Sequence, residues 1–238
     1  MSKEIENRSD IFKGTMGKKY KNLYSQICDP DNLWAAYARA ANGKRASMGY
    51  LRFRDNEAAH ILLLSKRLAD KSYAVGRYSN FVVYEPKART ISALPFKDRV
   101  VQHSLHAAIE PIFEKTFLPN SYACRKDLGT HCGVKNVQAT LRRLSKNGEV
   151  FCLKMDFSKY FPSIDRENLY REVEKKISCK DTLRLLEKFH PRTGTGIPIG
   201  HLTSQLMANI YGNKLDHFIT HKLKAKNWAR YMDDTIIL

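Results

Sequence analysis

Three carboxylates stand where apolar strands would be expected to exclude them. Asp233 and Asp234 interrupt "RYMDDTIIL" at residues 230 to 238, and Asp156 closes the apolar stretch "VFCLKMDF". An ionised acid is costly to desolvate, so acids set among strand formers either occupy an exposed turn or hold a cation. Hard carboxylate oxygens suit Mg²⁺, and two such ions about 4 Å apart are a common device for in-line phosphoryl transfer. If the strand ending at Asp156 pairs with the 229 to 238 hairpin, Asp156 and Asp233 fall on adjacent strands, about 5 Å apart at their backbones. A plain polar turn explains Asp233 and Asp234 equally well, and the two readings are compatible, because a turn lifts acids clear of the apolar strands.

The elements that must position these acids are legible from periodicity. Residues 1 to 20 are polar and Lys-rich, which predicts a basic flexible arm. From Tyr20 to about Ala74 the pattern is helical, with "GYLRFR" as a short extended piece between two helices. "YSNFVVYEPKARTISALPF" reads as a hairpin with a charged tip, and Val101, Leu105, Ile109 and Ile112 mark a helix from about Asp98 to Phe117. An irregular loop, "LPNSYACRKDLGTHCG", precedes a helix through "VKNVQATLRRLSK" and the strand "EVFCLKMDF". A helical segment near 165 to 190, a loop "HPRTGTGIPIG", a helix from about His201 to Lys224 and a strand from about Ala229 complete the order, which implies an α+β architecture.

Composition bounds the partners. There are 41 Lys and Arg against 24 Asp and Glu, a formal charge of +17, and such an excess points to a polyanion, most often nucleic acid. The five cysteines are scattered and never spaced Cys-x-x-Cys, so neither a disulfide framework nor a zinc ribbon is suggested. No apolar stretch is long enough to span a bilayer, so the reading is a soluble, cytoplasmic protein without a membrane partner.

"RYMDDTIIL" resembles the Tyr-x-Asp-Asp hairpin of reverse transcriptases, and "LKMDFSKYFPSID" resembles the first carboxylate motif of that family. "GIPIGHLTSQLMANIY" is similar to the loop and helix between them. "EPKARTISALPFKDRVVQHSLHAAIEPIFEKTF" and "SYACRKDLGTH" look like fingers and early palm blocks of bacterial enzymes of the group II intron lineage. The resemblance implies a right-hand polymerase with fingers and early palm at 21 to 149 and palm at 150 to 238. The chain stops four residues after Asp234, so the thumb is expected to be missing and the chain reads as a C-terminally truncated fragment, poorly processive or inactive alone. Most members of the lineage carry Gln before the Gly of the middle motif and Pro after its Ser. Ile199 and Gln205 stand there instead, a pattern like that of the error-prone enzymes of diversity-generating retroelements. Ile199 offers only apolar contact beside the incoming nucleotide, which discriminates less strictly than an amide.

What the resemblance implies for individual residues follows. Asp156 and Asp233, with the backbone carbonyl of Phe157, hold two Mg²⁺ ions, Mn²⁺ being an alternative, and Asp234 is the neighbouring catalytic acid. Lys87 and Arg89 grip the triphosphate of the dNTP. Phe161, rather than Tyr160, is the aromatic that excludes a 2′-hydroxyl, and Ile199 and Gly200 flank the nucleotide. Arg125 contacts template phosphate or base or is an exposed structural Arg, Ser204 and Gln205, with Asn209 on the same side, contact the templating strand or satisfy helix packing, and Tyr231 packs near the primer end. Asp98 and Arg99, despite their place in one of these blocks, read from their position at the start of a helix as a cap and a structural ion pair. The partners are then an RNA template, a DNA or RNA primer, dNTPs and a small basic accessory protein. A retron-like or phage-defence reverse transcriptase and a non-catalytic, maturase-like RNA-binding protein are the competing readings.

Overall fold

The structure, a computed structural model, describes residues 18–84 and 87–238. The basic arm expected at 1 to 20 therefore lies mostly outside the described residues, as does the tip of the charged hairpin. Its last residue is tied down: Tyr20 pairs with Ile177 in a parallel bridge, its N–H donating to the Lys176 carbonyl (2.8 Å).

Among the described residues the first helices are α1 (Tyr24–Cys28), α2 (Pro30–Ala41), α3 (Met48–Arg54) and α4 (Glu57–Ala69). Asp29 starts α2 by accepting from the Asp31 N–H at 2.7 Å, with Pro30 in the first turn. α3 corrects the extended reading of "GYLRFR". Ser47 caps it, accepting from the Tyr50 N–H, and a helical turn brings Tyr50 and Phe53 onto one buried face. There they meet Phe96, each with ring centroids 5.4 Å away, and Tyr37. Burial of that aromatic cluster outweighs the strand propensity of its members.

The hairpin β1 (Ser79–Tyr84) and β2 (Ala88–Ala93) pairs antiparallel with Val83 opposite Arg89. It leads into α5 (Phe96–Glu114), which begins two residues before the expected start, and then through a loop to α6 (Thr130–Leu144). Next come β3 (Leu153–Met155), α7 (Tyr160–Ser163), α8 (Arg166–Glu174), α9 (Lys180–Phe189), α10 (Leu202–His221), β4 (Trp228–Tyr231) and β5 (Asp234–Ile237). The single helical segment expected near 165 to 190 is thus divided into α8 and α9, and Ile177, bridged to Tyr20, lies at the break. β3 is shorter than the stretch "EVFCLKMDF" because β5 pairs only with Leu153, Lys154 and Met155, leaving Phe151 79% exposed.

The second sheet has the order β3-β5-β4, antiparallel throughout. One apolar core runs from Leu23 and Ile27 in the first helices to Met207 and Met232 beside the sheet, so the regions on either side of residue 150 share their interior. The architecture is α+β, the fingers and palm of a right-hand polymerase.

Candidate active site

The three acids converge because of strand register. Tyr231 pairs with Asp234, so Met232 and Asp233 form a two-residue hairpin loop. Met232 takes a left-handed φ of 58°, which matches the tight loops that suit the twist of the flanking strands. The β3 ladder ends at Met155 opposite Thr235. The next residue, Asp156, continues that register beside Asp234, so Asp233 is not directly across from Asp156 as the sequence suggested; it sits one position further toward the turn.

Alternation along the strands separates the two faces of the hairpin. Trp228, Arg230 and Thr235 are buried, while Tyr231 and Asp234 are exposed, with Asp233 half-buried. Asp156 and Asp233 accept no hydrogen bond and form no ion pair with another described residue, and Asp234 has only Lys154, 3.9 Å away and exposed. Three carboxylates at one end of one sheet repel unless a cation lies among them. Their donor set is all oxygen, which fits a hard divalent ion. Among the described residues no group of three or more His, Cys, Asp or Glu is placed to hold a metal ion by itself, these acids included. Phe157, whose carbonyl was expected to add an oxygen, is half-exposed at 41%, its ring 6.0 Å from that of Tyr160.

Behind the turn lies a buried ion pair that sequence reasoning missed. Arg230 is 1% exposed and Asp216 fully buried. Arg230 donates from Nε to Asp216 Oδ1 (2.6 Å) and from Nη2 to Asp216 Oδ2 (2.7 Å). Its remaining donors reach the Met232 carbonyl (2.8 Å), Asn209 Oδ1 (3.4 Å) and Ser121 Oγ (3.1 Å). The guanidinium therefore fastens the hairpin loop to α10 and to the loop after α5. Room for it comes from Gly212, where a Cβ would lie 2.7 Å from Arg230 Nη1 and 2.9 Å from the Tyr160 hydroxyl. The signal that could have found the pair is an Arg on the buried side of a strand together with an Asp in the apolar stretch "NKLDHFIT".

The residues expected from the resemblance to flank the nucleotide fall on two elements that touch. Ser92 of β2 donates its N–H to the Ile199 carbonyl (3.0 Å), and Gly200, with φ 105°, sits so close to β2 that a Cβ would lie 2.9 Å from Ile91 Cγ2. The hairpin bearing Lys87 and Arg89, both exposed, is thereby joined to the loop before α10. Tyr160 is buried and donates its hydroxyl to the Ala208 carbonyl (2.9 Å), with burial raising its phenol above the ordinary range. Phe161 is only partly buried, edge-on to Tyr160. The anchored Tyr160 leaves Phe161 as the freer ring of the two.

For Arg125, Ser204 and Asn209 the structure favours the internal role over the template, and for Asp98 it corrects the expected cap and ion pair. Arg125 does not extend toward a template: it donates to Glu114 Oε1 from both Nε (2.9 Å) and Nη2 (2.7 Å) and to the Leu118 and Ser121 carbonyls (2.7 Å each), so it cross-links the loop after α5. Ser204 is fully buried, unlike Gln205 beside it, which is exposed; successive residues of a helix point about 100° apart. Asn209 is also internal, donating to the Ala123 carbonyl (2.7 Å). Asp98 is no cap, since Pro95 holds that position. It is fully buried and accepts from the Tyr73 hydroxyl (2.6 Å), the Gly76 N–H (2.9 Å) and Lys97 Nζ (2.9 Å), making Lys97 rather than Arg99 its ionic partner.

Comparison with known proteins agrees with this geometry. Residues 83–238 match the family model described as reverse transcriptase (RNA-dependent DNA polymerase). The chain is 28% identical to Protein YkfC of Escherichia coli (strain K12), over 65% of this chain and 45% of that protein. It is 26% identical to the group II intron-encoded protein LtrA of Lactococcus lactis subsp. cremoris (93% and 39%) and 30% identical to the Retron Ec73 reverse transcriptase of Escherichia coli (63% and 48%). The chain thus spans less than half the length of each of these relatives. Among solved structures, a chain of a partial Cas6-RT-Cas1–Cas2 complex shares the fold with TM-score 0.50 and 19% identity, covering 91% of this chain and 38% of that one. With more than half of its residues matched by the family model, the chain belongs to the reverse transcriptase (RNA-dependent DNA polymerase) family.

Proposed function

We propose that the protein is an RNA-directed DNA polymerase that extends a primer on an RNA template. The observation that carries the reading is the set of acids at one sheet end, Asp156 beside Asp234 with Asp233 in the adjoining turn, where Asp156 and Asp233 have no ionic partner among the described residues and Asp234 has only the exposed Lys154. Asp156, Asp233 and the Phe157 carbonyl would hold divalent ions, Mg²⁺ in our reading and two in number, with Asp234 adjacent. Ions bound there would supply the chemistry of lowering the pKa of the primer 3′-hydroxyl and stabilising charge on the departing pyrophosphate.

The chain's own residues bind and orient. Lys87 and Arg89 take the triphosphate, Ile199 and Gly200 flank the nucleotide, and Phe161 leaves no room for a 2′-hydroxyl. Tyr231, 42% exposed beside Asp234, faces the primer end, and Gln205 is the template contact of α10. With its net charge of +17, the surface favours RNA, and affinity should fall steeply with salt.

The finer reading is the error-prone enzyme of a diversity-generating retroelement, acting with a small basic accessory protein. It rests on Ile199 and Gln205 standing where a Gln and a Pro are usual. A retron-type enzyme is the second reading, supported by the 30% identity to the Ec73 protein. Primer extension on a defined RNA template tests the polymerase reading: incorporation of dNTPs that stops on chelation of divalent ions is expected, and no extension by the complete protein contradicts it. Sequencing the cDNA separates the subtypes, since errors concentrated at template adenines are expected only of the first.

A further inference from the structure

One groove bordering α10 does not involve the strands that carry the carboxylates. It has a volume of about 710 Å³ and is walled by the end of α5, the end of α8 with the residues after it, and the C-terminal half of α10. Five lysines line it, Lys115, Lys175, Lys176, Lys214 and Lys222, against one acid, Glu172. Glu172 pairs with Lys175 (2.7 Å) and Lys214 (3.4 Å). Lys115, Lys176 and Lys222 form no ion pair with another described residue, and they come from three separate segments that converge on one concavity.

A lysine on a convex helix face is ordinarily just solvated. This groove differs in shape and in the groups on its walls. His217 and His221 lie with ring centroids 5.3 Å apart and their planes tilted by 32°, adding aromatic rings of the kind on which bases stack. Asn213 donates to the Thr116 carbonyl (3.3 Å) and so ties α10 to the residues after α5, fixing two walls of the groove. The helix C-terminus favours Lys222 by its dipole, but that accounts for neither Lys115 nor Lys176.

We propose that this groove is a second RNA-backbone site, which holds a part of an RNA distant from the nucleotide being copied. α10 spans 20 residues, about 30 Å, with Gly200 before one end and the groove along the other half, so one RNA can reach both. RNA rather than an acidic protein is the partner because the inference rests on the RNA-templated reading above.

The test uses the complete protein and fluorescence anisotropy with a closed RNA hairpin, over a range of salt. The triple variant Lys115→Ala, Lys176→Ala, Lys222→Ala is compared with a control, Lys44→Ala, Lys66→Ala, Lys180→Ala, in exposed lysines that do not line the groove. The groove variant should lose about tenfold or more in affinity and flatten the slope of log K against log salt by roughly 2, while the control changes little. Equal effects of the two triples, or an unchanged slope, overturn the proposal. So does stronger competition by a poly-glutamate peptide than by an RNA of equal charge. Primer extension by wild type runs in parallel: extension with an unaffected groove variant removes the groove alone, whereas no extension removes the polymerase reading.

Discussion

The guanidinium of Arg230 grips the carboxylate of Asp216 through two hydrogen bonds of 2.6 and 2.7 Å, with both side chains sealed from solvent. A third donor reaches the Met232 carbonyl, so the loop that presents Asp233 is anchored by a charge pair beneath it. Removing Asp216 strands a buried cation. Asp216→Ala should lower stability by about 3–5 kcal/mol, measured by urea denaturation, and should reduce primer extension because the loop loses its support.

Gly212 has the companion role of leaving space. An added Cβ would meet Arg230 Nη1 at 2.7 Å, Cζ at 2.8 Å and the Tyr160 hydroxyl at 2.9 Å, and none of these can withdraw without giving up a buried hydrogen bond. Gly212→Ala should cost roughly 1–3 kcal/mol, although alanine improves intrinsic helix propensity. A thermal melt equal to or above that of the wild type would contradict this packing.

The site and its support differ in how far they were legible in sequence. Asp233, Asp234 and the hairpin are a local pattern, two acids set in a period-two apolar run, and could be read directly. Arg230 is not singled out by its local sequence, because its partner sits on a helix and the pairing needs Gly212 to be bare. Ser204 and Gln205 were read together by proximity, yet one helical step buries the first and exposes the second. "GYLRFR" was misread because its helix is fixed by contacts with Phe96 and Tyr37, distant in sequence. What failed was long-range packing, which overrides local propensity.

Arg125 gives a prediction that divides stability from template binding. With its donors engaged by Glu114 and two carbonyls, Arg125→Ala should destabilise the protein by roughly 2–3 kcal/mol. Below the melting transition, the salt slope of RNA binding should stay unchanged, since no phosphate contact is removed. A flattened slope with intact stability would return Arg125 to the template.

Two buried histidines set an acid limit. Burial pushes His190 down to about 3 and His201 down to about 4, against roughly 6.5 in an unfolded chain. Their neutral forms are therefore favoured by folding, and their full contribution is present above about pH 6.5. As pH falls from there toward 4, the unfolded chain takes up protons that the folded chain refuses, and stability declines. Urea midpoints across this range should fall with acidification, and His201→Gln should make the decline shallower.

The central claim is that Asp156, Asp233 and Asp234 form one cation-binding catalytic set. Its most direct test is RNA-templated dNTP incorporation by the complete protein carrying Asp233→Asn, with folding checked by its melting curve. Loss of incorporation by about three orders of magnitude, with the fold intact and RNA still bound, is the predicted result. Incorporation close to that of the wild type would contradict the assignment.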